Sequence, residues 1–306
     1  MSTTAATGLP TPRAHRRRTT GGGVNTLPLV APSVGLLLVF SLVPLAATLY
    51  FSVLRYNLLN PAVGGFAGWN NYKYLFRDPA LFYSLFVSVA LVVEVLIITV
   101  GLGMILASLF ETNFPGRSIA RILIVSPFFV MPTVSALIWK NLLMHPVNGF
   151  IAWVTRGLGL GVIDFFTDWP LSSVVIIVAW QWLPFAFLIL LTALQSLDEE
   201  TREAANIDGA GPIKVFFFIE LPHMGRAASV VVLIETIFLL GIFAEIYVTT
   251  AGGPGFASTN LSFLIYRYVL MEYDIGGAAV ASLLAIVLAN ILAIFLMRSF
   301  ARNLEA

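Results

Sequence analysis

Carboxylate and amide side chains inside apolar runs are the groups of this sequence most able to do chemistry. Glu94 and Glu235 lie near the middle of two such runs. If the runs cross a bilayer, a carboxylate at a helix centre costs roughly 2.5 to 3.5 kcal/mol. Either these groups line a hydrated path and bind an ion or polar solute, or they bond to other helices. Further polar residues within or near such runs are Gln181, Glu245 and Asn290.

The stretch AWQWLPF, residues 179–185, surrounds Gln181 with aromatic side chains. Trp180, Trp182 and Phe185 would lie close together on one helix, which Pro184 is expected to kink. Aromatic faces stack on the C–H faces of a polyhydroxylated solute, and an amide can bond its hydroxyl groups. The alternative is that these rings face lipid or pack in the core, and the sequence leaves both interpretations open.

The loop of residues 198–222 separates two apolar runs and carries acids, small residues, glycines and prolines. The acids 198–200 suit the start of a short helix that runs to about Ile207. The run DGAGP, residues 208–212, breaks that helix, and Pro212 is placed to begin a second one. Leu221-Pro222 is expected to end the second helix. The sequence therefore predicts a helix, a turn and a helix.

The first helix of this loop has an unusual surface for a segment beside a membrane. Ala204 and Ala205 next to Glu203 offer little apolar area to lipid, which disfavours an amphipathic helix lying at the interface. Small residues beside a carboxylate suit insertion into a cleft on another protein. We therefore interpret the loop as a docking element.

The elements that must position these groups are membrane helices. The 306 residues are 58% hydrophobic and 11% charged, with a mean hydropathy of +0.91, which is too apolar for a soluble domain. The sequence has no cysteine, and its three histidines lie far apart, so thiolate and metal chemistry are not predicted. No nucleic-acid partner is predicted either.

Residues 1–26 are rich in Thr, Gly, Pro and Arg and predict a disordered basic tail. The apolar run after them is too long for a signal-peptide core and predicts an uncleaved first span. Five further runs are long enough to cross a bilayer. The predicted protein is all-α and integral to the membrane, with one domain over residues 27–306 and six spans at about 29–53, 82–110, 119–143, 171–195, 227–250 and 277–298.

The distribution of Lys and Arg orients these spans. Eleven of the 17 lie in the tail, the loops 111–121 and 196–226 and the C-terminal end, and six lie in the loops on the opposite side. Because cytoplasmic loops carry the excess of positive residues, both termini and the loop 198–222 are predicted to be cytoplasmic.

The pattern EAA, three residues, then G, followed by Ile219 and Leu221-Pro222, resembles the EAA motif of permease subunits in bacterial ABC import systems. The resemblance covers about residues 30–300. It implies a type I, maltose-permease-like fold of six helices in the bacterial cytoplasmic (inner) membrane. It also implies that this loop is the coupling helix that docks on an ATPase. The implied coupling residues are Glu203, Ala204, Ala205, Asp208, Gly209, Leu221 and Pro222.

Several stretches look closer still to the sorbitol and mannitol permease group: RYNLL (55–59), MPTVSALIWKN (131–141), AWQWLPF and FAEIYVTTAGGPGFASTNLSFLIY (243–266). The resemblance implies a heterodimer with a second permease subunit, two ATPase subunits and an external solute-binding protein. It places a sugar or polyol path along spans four and five, with candidate contacts Gln181, Trp182, Phe185, Ile234, Phe238 and Gly241. Glu94 and Glu235 are further candidates, because a carboxylate inside the membrane is costly and therefore indicates a function.

The source of energy follows from a missing motif. None of Lys73, Lys140 and Lys214 follows a glycine, so the sequence contains no GxxxxGK[ST] loop to cradle ATP phosphates. We expect this chain to bind no cofactor and a partner ATPase to use ATP and Mg. An ion-coupled secondary carrier, with Glu94 and Glu235 as ion sites, is the alternative. It would leave the EAA loop without a role. A membrane enzyme lacks a nearby nucleophile or metal.

Overall fold

The computed structural model describes residues 27–305, and helices dominate that part of the chain. The predicted basic tail, residues 1–26, lies outside the described residues. Short 3₁₀ or π turns at Pro61–Val63, Ser126–Phe129, Trp139–Leu143, Phe216–Glu220 and Arg267–Met271 adjoin the helices and strands. In chain order the elements are α1 Leu27–Ser52, β1 Leu54–Arg55, β2 Gly65–Phe66, α2 Asn70–Leu75, α3 Pro79–Glu111, α4 Arg117–Val125, α5 Pro132–Ile138, α6 Phe150–Gly157, α7 Phe165–Asp168, α8 Pro170–Leu194, α9 Glu199–Ile207, α10 Pro212–Val215, α11 Leu221–Leu239, α12 Ala244–Thr249, α13 Leu261–Tyr266 and α14 Ile275–Glu305.

Five helices of the described residues are long and apolar enough to cross a membrane. They are Val30–Ser52, Pro79–Glu111, Pro170–Leu194, Pro212–Leu239 and Ile275–Phe300. A sixth crossing is formed if the bent pair Arg117–Phe129 and Pro132–Leu143 counts as one span. The predicted all-α, multi-span fold is therefore confirmed.

The third span, predicted over residues 119–143, is not one continuous helix. Its two halves, Arg117–Phe129 and Pro132–Leu143, meet at a bend of 110°. Met131 is extended, with φ −60° and ψ 138°, because the residue before a proline is pushed out of the helical region. Val130 is extended as well, so two successive residues interrupt the helix. Hydropathy, from which the span was predicted, does not indicate such a break.

Span five also differs from its expected bounds. The helix after the turn does not end at Leu221-Pro222 but continues from Pro212 through Leu239. Pro222 cannot donate a hydrogen bond, and a π turn at Phe216–Glu220 precedes it, with the Leu221 amide bonded to the Phe216 carbonyl. A widened turn of this kind accommodates proline without ending the helix. At the other end, α11 stops at Leu239, and residues 244–249 form the separate helix α12.

The core centres on α3 packed against α8, where small residues allow the backbones to approach. A Cβ at Gly103 would lie 3.1 Å from a methyl group of Leu190 and 3.2 Å from the Cβ of Ala186. Ala107 and Ala186 are fully buried in the same cluster. This is the close approach expected of small residues in membrane helices. It fixes α8, which carries Gln181, against span two.

Hydrogen bonds join distant segments near the start of span two and of α14. The Tyr268 hydroxyl donates to an Asp78 carboxylate oxygen at 2.6 Å. Burial, together with this bond to a carboxylate, raises the pKa of Tyr268. The Asn71 amide donates to the Ser52 and Leu54 carbonyls. Gly276 lies so close to Leu54 that a Cβ there would be 2.5 Å from its carbonyl oxygen.

The chain divides within α1 into two compact units, one ending at Ala46 and the other beginning at Ala47. In the first unit, the described part of α1 is a continuous apolar helix despite Pro32 and Pro44 inside it. The second unit contains the remaining elements.

Candidate functional site

The break in span three is held by an amide from span four. The Nε2 atom of Gln181 donates a hydrogen bond to the Val130 carbonyl oxygen at 2.7 Å. Gln181 is 6% exposed, and its Oε1 atom has no hydrogen-bond partner among the described residues. A buried amide with a free acceptor can receive a hydrogen bond from a solute hydroxyl. The residue thus both supports the bend and offers a polar group beside it.

A cavity of about 460 Å³ lies at this break. Such a volume is within the range of roughly 300 to 1,000 Å³ for small-molecule sites. Three structural features meet there: the bend of span three, the middle of α8, and the segment that joins α11 to α12. The lining residues are Phe128, Val130, Pro132, Gln181, Trp182, Phe238, Gly241, Ile242, Phe243, Ala244 and Glu245.

Aromatic rings form the apolar wall of this cavity. The Trp182 ring is 5.3 Å from the ring of Phe238 and 6.0 Å from that of Phe128, measured between centroids. Phe185 stacks on Phe128 with a centroid distance of 6.3 Å, just behind the lining. Rings in several orientations can cover the C–H faces of a sugar ring or an extended polyol.

Glu245 is a second polar residue in the lining of the cavity. It lies on α12, and Lys140 anchors the far end of that helix. The Lys140 Nζ atom donates to the Val248 and Thr249 carbonyl oxygens, each at 2.8 Å. These carbonyls belong to the last turn of a helix, where a cation is favourable. Span three is therefore bonded to α12 as well as to α8.

Of the predicted path residues, Gln181, Trp182, Phe238 and Gly241 line the cavity, and Phe185 contacts its wall. Ile234 is half-buried on α11 and is not part of the lining. Sequence reasoning missed Phe128 and Val130, and it noted Glu245 without assigning it to the path. The proline at 132 and the MPTV stretch were the available signal for a break there.

Glu235 and Glu94 do not line this cavity. Glu235 is fully buried, and its Oε2 atom accepts a hydrogen bond from the Thr99 hydroxyl at 2.7 Å. Its Oε1 atom has no partner among the residues that the structure describes. Glu94 lies half-buried on α3. Their contribution to a solute path therefore stays a prediction.

The loop 198–222 has the predicted helix and turn. On α9, Glu203 and Ala204 are exposed and Ala205 is half-buried, and Asp208 follows them at the surface. Gly209 has φ +77°, a left-handed conformation that glycine adopts without the penalty of a Cβ. The bulky apolar side chains exposed around this turn are Ile207, Ile213, Phe217 and Phe218, with exposed fractions of 86%, 73%, 55% and 78%.

An ion cluster that sequence reasoning missed lies behind α9. Arg202 contacts Glu220 at 3.1 Å and Glu111 at 3.6 Å. The Ser108 hydroxyl donates to the other oxygen of Glu220. Two signals were present in the sequence. Glu220 lies within the apolar run FFFIELP, and Arg202 directly precedes the EAA segment. Their pairing depends on tertiary structure, since residues 111 and 202 are remote in the chain.

A multi-span helical protein with an aromatic cavity at a broken helix and an exposed helical turn between two spans has the features of a membrane permease. The family model for the binding-protein-dependent transport system inner membrane component matches residues 63–306, and this chain belongs to that family. Its homologues are ABC transporter permease subunits, which are not enzymes, and the ATPase is a separate subunit. The predictions of a multi-pass membrane protein and of a non-enzymatic transport subunit are confirmed.

Individual relatives agree with this family. A probable ABC transporter permease protein of Sinorhizobium fredii is 31% identical over 258 residues, covering 84% of this chain and 83% of the relative. A trehalose/maltose transport system permease protein of Thermococcus litoralis is 32% identical over 254 residues, covering 82% and 85%. The crystal structure of a bacterial alginate importer matches with a TM-score of 0.77 and 19% identity, over 90% of this chain and 94% of that one.

Proposed function

We propose that this chain is the permease subunit of an ATP-driven importer for a neutral sugar or sugar alcohol, with the cavity at Gln181 on the solute path. The observation that carries this proposal is the composition of the cavity. Its lining combines aromatic rings with Gln181, whose buried amide has a free oxygen, and Glu245, and it includes no Lys, Arg or His from the part of the chain that the structure describes. Hydroxyl groups would find acceptors there, whereas an anionic solute would find no cation.

Substrate identity is the finer part of the proposal. The trehalose/maltose permease relative supports a carbohydrate, and the stretches that resemble sorbitol and mannitol permeases favour a polyol. A linear hexitol presents hydroxyl groups along its whole length and carries no charge. We therefore assign a mannitol- or sorbitol-like polyol as the solute to be tested first.

The assembly is proposed from the family pattern. A second permease subunit would complete the path, two ATPase subunits would use ATP and Mg, and an external solute-binding protein would deliver the solute. In this arrangement both chain ends and the loop 198–222 are cytoplasmic. The exposed face of α9 and the turn at Gly209 would dock on an ATPase. Closure of the ATPase pair would then switch the cavity between a state open to the outside and a state open to the cytoplasm.

The ion-coupled carrier loses its support. It required Glu94 and Glu235 to bind ions on the solute path, and neither glutamate lines the cavity. Family membership also connects transport to an ATPase.

The test is uptake of radiolabelled mannitol by proteoliposomes that contain the whole complex and the solute-binding protein. We expect uptake with ATP and none when the ATPase subunits carry an inactivating substitution. Sorbitol and maltose serve as competitors, and glycerol 3-phosphate tests whether anions are excluded. Uptake driven by an ion gradient in the absence of ATP would contradict ATP-driven import. Competition by maltose alone would assign the site to a disaccharide.

A further inference from the structure

The coupling helix α9 is connected to span five by a short turn that contains two glycines. Residues 208–211 contain Gly209 and Gly211, and neither would meet a heavy atom within 4 Å if it carried a Cβ. Crowding therefore does not require glycine at either position: Gly209 suits its left-handed φ of +77°, and Gly211 leaves more backbone conformations open than another residue would. A docked helix on such a turn could swing without moving the spans. Something else must hold α9 to the membrane helices if movement is to be transmitted.

Arg202 supplies that connection. It lies next to Glu203 in α9, but its side chain turns inward and is 26% exposed. Its two terminal nitrogens contact different helices: Nη2 is 3.1 Å from Oε1 of Glu220, and Nη1 is 3.6 Å from Oε1 of Glu111. Glu220 directly precedes α11, and Glu111 ends α3. One guanidinium thus connects the coupling helix with spans two and five.

Burial makes this connection more costly to break than a surface ion pair. The Glu220 side chain is 7% exposed, and Ser108 of α3 donates to its second oxygen. Exposed ion pairs contribute little, because water and salt screen them. Removing one partner of a buried pair leaves an uncompensated charge and is costly. The cluster also borders a cavity of about 250 Å³, which Pro212 and Val215 help to line.

We infer that Arg202, Glu220 and Glu111 are positioning residues that make α9 move as one body with the ends of spans two and five. This inference rests on the proposed function and assigns a residue set to its coupling step. The EAA segment then provides the docking surface, and the cluster behind it passes the displacement to α3 and α11. Without the cluster, the ATPase would move α9 about the glycine turn while the cavity stayed unchanged.

The test compares the number of mannitol molecules imported per ATP hydrolysed by the complete complex in proteoliposomes. In Arg202→Ala, we expect this ratio to fall about tenfold, which corresponds to the loss of one charge-assisted bond. Hydrolysis itself should continue, because α9 keeps its exposed docking face. Arg226→Ala is the matched control: that arginine is exposed on α11 and makes no ion pair among the described residues. It should keep the wild-type ratio.

A variant in which Arg202 and Glu220 exchange their charges distinguishes a positioning role of the ion pair from a general loss of protein stability. Arg202→Glu combined with Glu220→Arg keeps two acids and one base in the cluster and should recover part of the ratio. If Arg202→Ala and Glu220→Gln both keep the wild-type ratio, the inference is wrong. If Arg202→Ala fails to assemble, the exchange variant decides: recovery of assembly and uptake supports the link, and an equal defect overturns it.

A spin-label measurement tests the link without a transported solute. Because the chain has no cysteine, cysteines introduced at the exposed positions Glu200 and Thr112 give specific labels on α9 and at the end of α3. We expect one narrow distance distribution with and without ATP, and a broad one with ATP in Arg202→Ala. A distribution that stays narrow in Arg202→Ala contradicts the link. If wild-type complex imports no mannitol, the polyol assignment fails, and this distance alone decides the role of Arg202.

Discussion

The Nε2 atom of Gln181 lies 2.7 Å from the Val130 carbonyl oxygen and donates a hydrogen bond to it at the bend of span three. A broken helix leaves backbone groups without their helical partners, and inside a membrane an unpaired group costs several kcal/mol. An amide on span four therefore makes the 110° bend tolerable. Because the same amide faces the cavity, the shape of span three and the polarity of the proposed path depend on one residue.

Replacing Gln181 by Leu should reduce mannitol uptake by at least about tenfold, because a buried carbonyl left unpaired costs roughly 1 to 3 kcal/mol. The cavity would also lose its amide oxygen. Initial uptake rate and the thermal unfolding temperature of the purified complex are the measurements. Asn290→Leu is the control, since that amide bonds within its own helix to Ile286 on an exposed face. Wild-type uptake in Gln181→Leu would remove the residue from the path.

Gly209→Ala should impair coupling through the backbone. At φ +77° an alanine costs roughly 1 to 2 kcal/mol, so the turn after α9 would shift or loosen. We expect fewer solute molecules per ATP and a lower binding of the ATPase subunits. Gly225→Ala is the control, because Gly225 lies within α11 with open space around its Cα and alanine favours a helix. If Gly209→Ala and Gly225→Ala gave the same solute-to-ATP ratio and the same ATPase binding, the turn at Gly209 would have no special role in coupling.

The sequence correctly predicted the helices whose residues are apolar along their whole length. The spans α3, α8 and α14 are long apolar runs, and such a run can satisfy its backbone only as a helix in lipid. The EAA spacing likewise predicted α9 and its turn, because glycine after a short helix is a local signal. These features depend on neighbouring residues, and a single sequence contains that information.

The wrong or missing predictions concern contacts between distant residues and local irregularities of the backbone. Within the run 119–143, Pro132 pushes Met131 out of the helix locally, but the amide that bonds the Val130 carbonyl at the break belongs to Gln181, 51 residues away. Pro222 was expected to end a helix, but a π turn let the helix continue to Leu239. Glu245 was not assigned to the path because the end of α11 at Leu239 was not predicted. The bond to Val130 and the lining of the cavity depend on distant residues, whereas the π turn before Pro222 is a local adjustment of the backbone.

Lys140→Met should remove the hydrogen bonds that hold α12 against span three. The two bonds from Nζ to the Val248 and Thr249 carbonyls would be lost, and bonds from a charged group contribute about 1.5 to 3 kcal/mol each. We expect lower uptake and a lower unfolding temperature, with partial recovery in Lys140→Arg. Lys73→Met, on the exposed surface of α2, is the control for loss of charge. No difference between Lys140→Met and Lys73→Met would show that the bonds are dispensable.

Glu235→Gln should preserve both stability and ATP-driven uptake, because an amide oxygen can still accept the hydrogen bond from Thr99. Glu235→Ala should instead destabilise the protein by about 1 to 3 kcal/mol, since it leaves the buried Thr99 hydroxyl without this partner and opens a cavity. Thermal unfolding of the complex measures the difference. Glu94→Gln, at a half-buried position on the same helix as Thr99, is the control and should change neither quantity. If Glu235→Gln abolished uptake while leaving the unfolding temperature unchanged, the carboxylate charge itself would be needed for transport, and a structural role through Thr99 would be insufficient.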